Sequence, residues 1–179
     1  MLSMTTQTLR PLFIAGVFTL SVAATVEAGS RHEAIIVSPA AIAPAPTQAL
    51  TGSGRTFVPL HSTLLGQDGL KHLNLSATLS VHNPSSRNAL AVEQIIYRDG
   101  SGRLIETYIN EPIILRPYGS LQVLIAQNDL RGGIGASFTI DWSTTAGSEE
   151  PLIEALMTGQ SGTQGFSFLS PGKRVSRSD

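Results

Sequence analysis

The chain has 179 residues, with 12 Lys or Arg, 13 Asp or Glu, 4 His and a formal charge of −1. It contains no cysteine, which excludes thiol nucleophiles, disulfides, Cys-ligated zinc or iron–sulfur clusters, C-x-x-C-H haem, blue copper and lipoprotein acylation. The near-neutral balance argues against a broad nucleic-acid surface, because such a surface needs clustered Lys and Arg.

The first 28 residues have the pattern of a secretory signal peptide. Arg10 is followed by an apolar run from Leu12 to Ala24, and Val26-Glu27-Ala28 places small residues at the −3 and −1 positions. We therefore expect cleavage after Ala28 and an exported mature chain, periplasmic or secreted. The alternative is a retained anchor, although the run is shorter than the roughly 20 apolar residues that span a bilayer. After cleavage we expect no integral membrane segment.

Composition divides the rest of the chain into three parts. Residues 29–54 include a Pro- and Ala-rich stretch with few bulky side chains to bury, which predicts a flexible linker. Residues 55–172 are numerous enough for one domain with its own core. Residues 173–179 are polar and are predicted to form a disordered tail.

Within residues 55–172, apolar and polar side chains alternate with a period of two, which is typical of strands buried on one face. The clearest runs are 71–82, with Leu73, Leu75, Ala77, Leu79 and Val81 on one face, and 136–142, with Ala136, Phe138, Ile140 and Trp142 inward. Residues 121–125 alternate in the same way, and 56–62 add a strand in which Pro59 suggests a sheet edge. The β-rich runs 90–97 and 103–109 flank Asp99-Gly100-Ser101-Gly102, which predicts a hairpin.

These short strands predict an all-β fold, an antiparallel immunoglobulin-like β-sandwich of about seven to nine strands, or else a barrel. The segment from Ser148 to Gly159 has two interpretations. A capping Ser, early acids, Leu152 above Leu156 and a final Gly favour a helix. Alternation of Ile153, Ala155 and Met157 would equally suit a strand.

The usual catalytic and metal-binding patterns are weak. His72 and His82 share a strand face but lie ten residues apart, about 33 Å at roughly 3.3 Å per residue, so with His61 a two-ligand metal site is the most that the spacing allows. The chain has no G-x-S-x-G nucleophile motif. The acids available to a carbohydrate hydrolase are Asp141 and those from Glu149 to Glu154, but adjacent acids more often form a solvated turn.

The glycine-rich segment Arg131-Gly132-Gly133-Ile134-Gly135-Ala136 is the strongest candidate for recognition. It lacks the Gly-Lys-Ser/Thr ending of a phosphate loop, and a strand follows it. The simpler interpretation is a tight turn whose glycines permit positive φ. Because exposed loops on a rigid scaffold often carry binding residues, we assign a candidate binding site to Asp129, Arg131, Gly132, Gly133, Gly135 and the nearby Trp142.

Several segments resemble the bacterial family known as domain of unknown function 3124. They are Phe57 to Ser62, Leu75 to Asn83, Tyr97 to Gly100, Gly132 to Trp142, Pro151 to Ala155 and Gly165 to Phe168. The resemblance implies export and a β-rich domain, and it favours a strand pair from Ile153 to Thr158 and Phe166 to Ser170 over the helix. It supplies no catalytic residue. Ser137 stands where the family usually has Asn, and His61 and Thr63 stand where Tyr and His are expected.

These observations predict an exported, non-enzymatic β-sandwich without a cofactor, which binds an envelope protein or glycan partner and no nucleic acid. The alternatives are an envelope carbohydrate hydrolase with paired carboxylates and a weak His-based metal-binding protein.

Overall fold

A computed structural model describes residues 34–66 and 69–177; the predicted signal peptide lies outside these residues. The described chain forms twelve strands and one short 3-10 turn, Pro39–Ala41, and it contains no α-helix. The strands are β1 Ile35–Val37, β2 Leu50–Leu60, β3 Thr63–Leu65, β4 His72–His82, β5 Leu90–Arg98, β6 Leu104–Ile109, β7 Ile113–Leu115, β8 Ser120–Ile125, β9 Ala136–Thr145, β10 Leu152–Ser161, β11 Gln164–Pro171 and β12 Lys173–Val175.

The strands form two antiparallel sheets. Sheet A has the order β1-β8-β4-β10-β11, with β3 also paired to β4, and sheet B has the order β12-β2-β9-β5-β6, with β7 also paired to β5. The predicted all-β, two-sheet class is confirmed. The strand count exceeds the predicted seven to nine because β1, β3, β7 and β12 have three residues each, too few to produce a visible alternation in the sequence.

The core lies between the inward faces of the two sheets, and its residues follow the predicted alternation. The fully buried side chains include Leu75, Leu79 and Val81 of β4, and Phe138 and Ile140 of β9. The described chain joins both sheets in one continuous hydrophobic cluster. The domain therefore has a single core, which is what a cysteine-free chain of this length needs for stability.

The predicted hairpin is present as β5 and β6. In its turn, the Asp99 carboxylate accepts hydrogen bonds from the backbone N–H of Ser101 at 2.9 Å and of Arg103 at 3.0 Å. The Ser101 hydroxyl donates to the same carboxylate at 2.6 Å and is the main reason that the pKa of Asp99 falls to about 2. Gly102 takes a φ of 84°, as predicted for a glycine of this turn.

The segment predicted as a flexible linker contains regular structure. Within 29–54, Ile35–Val37 pairs with β8, and β2 begins at Leu50 rather than near Thr56. Composition underestimates the regular structure of this segment, because an edge strand gains backbone hydrogen bonds from its neighbour. Ile35 and Val37 also pack against the core.

The predicted disordered tail is also wrong for Lys173–Val175, which pairs with β2. The chain crosses from sheet A to sheet B at Gly172, whose N–H donates to Ile153 O at 2.8 Å. A Cβ at Gly172 would lie 2.7 Å from that same oxygen, so the crossing requires glycine.

Strand β12 extends along β2 only as far as Phe57. At Pro59 this side of β2 therefore has no partner from β12, so the sheet edge predicted from Pro59 is limited to that end of β2.

Most of the segment from Ser148 to Gly159, for which the sequence allows either a helix or a strand, forms strand β10. Strand β10 pairs with β4 on one side and with β11 on the other, as the family resemblance implied. Ile153, Ala155 and Met157 are buried, whereas Leu152 and Leu156 are exposed. The leucines that suggested a helical stripe therefore lie on the outer face of sheet A.

Candidate functional site

The predicted binding loop connects β8 to β9 at one end of the sandwich. We call residues 129–135 the 129–135 loop. The Ser62 N–H donates to Gly133 O at 3.0 Å, and the Gly135 N–H donates to His61 Nδ1 at 3.2 Å. These bonds attach the loop to the turn that follows β2, so its conformation is fixed by the scaffold.

The glycines of the loop have structural reasons. A Cβ at Gly132 would overlap the Tyr97 hydroxyl. The backbone of Ile134 packs closely against Gly100 of the β5–β6 turn, where a Cβ on Gly100 would lie 2.6 Å from Ile134 O. Gly133 and Gly135 take φ values of 63° and 83°, where residues with a Cβ are disfavoured. The simpler interpretation of a tight glycine turn therefore accounts for the glycine pattern.

Tyr97 lies beneath the loop with its hydroxyl buried and without a hydrogen-bond partner. Burial, followed by the Asp129 carboxylate, raises the pKa of Tyr97. The Ser62 hydroxyl, the Arg131 charge and the Gly132 backbone counteract this rise in part. The Ser62 and Gly132 groups lie near the phenol without forming a hydrogen bond of normal geometry. Burial also raises the pKa of Tyr108. Both phenols stay protonated at neutral pH, so neither is suited to act as a base.

Arg131 joins the loop to the β5–β6 hairpin. Its Nη2 lies 2.7 Å from Asp129 Oδ2 and 2.8 Å from Glu106 Oε2. The hydrogen bonds from Arg131 lower the pKa of Asp129, and the Arg131 side chain is 53% exposed. Exposed ion pairs contribute only about 0–1 kcal/mol each, so this network orients the loop more than it stabilises the fold.

The same end of the molecule exposes aliphatic side chains. Leu130 and Ile134 of the loop are 45% and 46% exposed, and Leu104 at the start of β6 is 53% exposed. We call the surface formed by Leu104, Glu106, Asp129, Leu130, Arg131 and Ile134 the loop-end surface. This surface combines exposed aliphatic side chains with Arg131, and arginine is enriched in protein–protein interfaces.

Trp142 does not belong to this surface. It lies six residues along β9 from Ala136, about 20 Å at the usual strand rise, and it is only 2% exposed. Its indole Nε1 donates to Thr56 Oγ1 at 3.0 Å, and the Arg174 guanidinium lies 5.3 Å from the ring centroid. The structure thus brings Asp129, Arg131 and the three glycines together and places Trp142 near the opposite end.

The histidines are dispersed over the fold. His61 accepts from Gly135, and His72 Nδ1 lies 3.2 Å from Thr63 Oγ1. His82 is at the far end of β4 from His72. Among residues 34–66 and 69–177, no group of three or more His, Cys, Asp or Glu is placed to hold a metal ion.

Two of the acids considered for hydrolysis, Asp141 and Glu154, lie on opposite faces of the sandwich. Asp141 points to the outer face of sheet B, where Arg55 binds both of its oxygens at 2.6 and 2.7 Å. Glu154 lies on the outer face of sheet A, in register with Ser80, and Glu150 pairs with Arg174. Because the outer faces of the two sheets point in opposite directions, Asp141 and Glu154 cannot act on one glycosidic bond.

The sequence of this all-β domain matches one family model. Residues 53–175 match the family described as a protein of unknown function, DUF3124, and the chain belongs to that family. No curated protein matches the sequence. One solved structure, that of Thermotoga maritima 1070, is 10% identical, covers 69% of this chain and 96% of its own, and superposes with a TM-score of 0.40.

Within the part of the chain that the structure describes, no helix is long and apolar enough to cross a membrane.

Two signals of the site were missed in the sequence. Glu106 of the β5–β6 hairpin contacts Arg131, which lies 25 positions further along the chain, and no local pattern links the two residues. Leu130 and Ile134 look like ordinary core residues in the sequence, yet they are exposed. Either feature requires knowledge of how the β5–β6 hairpin packs beside the loop.

Proposed function

We propose that this protein is an exported, non-enzymatic binding module of the cell envelope, which recognises a protein partner through the loop-end surface. The observation that carries the proposal is a loop fixed by its glycines and by His61 and Ser62 that nevertheless exposes Leu130 and Ile134. A pre-ordered loop loses less conformational entropy on binding than a flexible one.

Export is proposed from the N-terminal sequence. The charged start, the apolar run from Leu12 to Ala24 and the small residues before Gly29 match a cleavable signal. Fractionation of cells that express the full chain tests this, with mass spectrometry of the purified protein. A periplasmic or secreted product that begins at Gly29 is expected. A full-length product in the cytoplasm would contradict export.

A protein partner is favoured over a glycan by the side chains that the surface presents. Sugar rings commonly stack on exposed aromatic faces, whereas the loop-end surface presents aliphatic side chains and one arginine network. Trp142, the chain's one tryptophan, is buried and covered by Arg174.

The experiment is affinity capture from the native envelope fraction with the tagged full chain. The test variant carries Leu130→Ser and Ile134→Ser, and the matched control carries Leu156→Ser and Leu169→Ser, a neighbouring exposed pair on sheet A. We expect an envelope protein that the wild type and the control capture and that the loop variant loses, with all three proteins melting at similar temperatures. Equal capture by the loop variant would refute the assigned surface.

A further inference from the structure

Strand β11 forms one edge of sheet A and is open on its outer side. It pairs with β10 over eight consecutive residue pairs, and in the described part of the chain no strand lies on its other side. An edge strand of this length presents a row of backbone N–H and C=O groups with which another strand can pair. The outer side of β11 is therefore a surface suited to strand addition.

The register of the β10–β11 hairpin shows which backbone groups point outward. The Gly172 N–H donates to Ile153 O. In an antiparallel pair, residues that bond to the neighbouring strand alternate with residues whose N–H and C=O point away from it, so the even-numbered residues of β11 bond to β10. Gly165, Ser167 and Leu169 consequently direct their N–H groups to the open edge, and all three residues are exposed.

Strand β11 lacks the features that usually protect an edge strand, which are charged side chains, proline, β-bulges and short length. It contains no charged residue, its proline is its last residue, and its pairing with β10 has no bulge. The other sheet edges differ. Strand β12 contains Lys173 and Arg174, β6 contains Glu106, and β1 has only three residues. The edge of β11 is thus the one that is ready to pair.

This edge is complementary to a second copy of itself. If two β11 strands pair antiparallel about a two-fold axis at Ser167, Gly165 of one copy lies opposite Leu169 of the other. Every outward N–H of both strands then meets an outward carbonyl. An axis at Phe168 would instead place Gly165 opposite Pro171, which has no N–H, and would leave the Gly165 carbonyl without a donor.

The side chains match in the same register. Phe168 pairs with the buried Met157, so Phe168 and Phe166 lie on the inner face of β11, where both pack partly against the core. An axis at Ser167 places Phe166 of each copy directly opposite Phe168 of the other, and aromatic cross-strand pairs stabilise antiparallel strands. Because β11 has no charged residue, no like charges meet along the paired strands.

We propose that the protein forms a symmetric dimer in which β11 of one copy pairs with β11 of a second copy, so that sheet A continues across both. The paired edge contains none of the residues of the loop-end surface, so this dimer does not depend on the partner proposed above. Edge pairing buries less area than the roughly 1,600 Å² of a standard interface, and the dimer should therefore dissociate on dilution.

Sedimentation velocity of the full chain between about 1 and 500 μM measures this equilibrium, and we expect a concentration-dependent dimer. Ser167→Pro should raise the Kd about tenfold or more, because it removes an outward N–H from each copy and leaves the bonds to β10 intact. Ser167→Thr, the matched control, keeps the N–H and suits a strand, so its Kd should stay within about twofold of the wild type.

A charge provides a second test that does not require proline in a strand. Ser167→Lys keeps the N–H but places two like charges at the axis, and it should also weaken the dimer. Ser80→Lys adds the same charge on β4, two strands from the edge, and should leave the Kd unchanged. At about 1 μM, where the chains are monomeric, all variants should melt near the wild-type temperature.

Hydrogen exchange locates the contact. The amides of Gly165, Ser167 and Leu169 should exchange slowly in the concentrated wild type and fast after dilution. The proposal is overturned if the wild type stays monomeric at about 500 μM, if Ser167→Pro and Ser167→Lys dimerise as tightly as the wild type, or if these amides stay fast in the dimer. A monomeric wild type that captures an envelope protein lost by Ser167→Pro would assign the edge to that protein and would also overturn it.

Discussion

Replacement of Arg174 by alanine tests the most unexpected part of the fold, the attachment of β12. The Arg174 guanidinium makes three kinds of contact. It lies 5.3 Å from the centroid of the Trp142 ring, its Nη2 donates to Ser53 O at 2.8 Å, and its Nη1 pairs with Glu150. We expect Arg174→Ala to detach β12 and to expose one face of the indole.

The size of the effect follows from these contacts. A cation–π contact contributes about 0.5–1 kcal/mol, and a hydrogen bond from a charged group to a carbonyl about 1.5 kcal/mol. The ion pair with Glu150 is 52% exposed on both sides and adds little. Arg174→Ala should therefore lower the free energy of unfolding by about 2 kcal/mol, and Arg174→Lys by about half as much because the planar guanidinium is lost.

Urea unfolding followed by tryptophan emission measures this directly, because Trp142 is the one tryptophan in the chain. The folded Arg174→Ala variant should also emit at longer wavelength, since water reaches the ring. Glu150→Gln serves as the control and should change stability by less than about 0.5 kcal/mol. A variant without Arg174 that keeps both the wild-type midpoint and the wild-type emission would refute the assigned packing.

Three further changes test the turns. Gly132→Ala should destabilise the protein by about 1–3 kcal/mol in urea unfolding, because its Cβ overlaps the Tyr97 hydroxyl; wild-type stability would contradict this packing. Tyr118 has a φ of 60° and is 74% exposed, so Tyr118→Gly should raise thermal stability by about 0.5 kcal/mol through relief of strain, whereas Tyr118→Ala should not. Ser101→Ala should raise the pKa of Asp99 from about 2 toward 3.8, measured by carboxyl NMR. Because the pKa of Asp99 is depressed in the folded state, the stabilisation that this hydrogen bond gives to the folded protein is complete above about pH 4 and is lost as the pH falls through 2. An Asp99 pKa that Ser101→Ala leaves unchanged would contradict the assigned hydrogen bond.

The sequence predicts β4 and β9 well and the short edge strands poorly, for a physical reason. In β4 and β9 a buried face repeats over ten or more residues, so the alternation is visible without any knowledge of neighbours. In β1 and β12 the strand exists because a longer strand lies beside it. Pairing between distant segments leaves no signal in a stretch of three residues.

The candidate site shows the same division. The sequence located the glycine loop and identified Trp142 as buried, because both properties depend on local patterns. The sequence analysis placed Trp142 near the loop and did not identify Glu106. The distance of Trp142 from the loop depends on the length of β9, and the contact of Glu106 with Arg131 depends on the packing of the β5–β6 hairpin.

The domain has few charges and no cysteine, and its loops and C-terminal end are held in part by a small set of arginine ion pairs. Arg103 pairs with Asp99 in the hairpin turn, and Arg131 pairs with Asp129 in the loop. Arg174 of β12 pairs with Glu150, and Arg177, which follows β12, pairs with Glu93 of β5. The arginine of each pair is at least 40% exposed, so each pair is worth at most about 1 kcal/mol. Salt at molar concentration should consequently loosen the 129–135 loop and β12 while leaving the core intact, since the core depends on apolar burial. Under that condition, hydrogen exchange should accelerate at residues 129–135 and 173–175 and stay slow at Leu79 and Ile140, and uniform acceleration would show that the ion pairs support the whole fold.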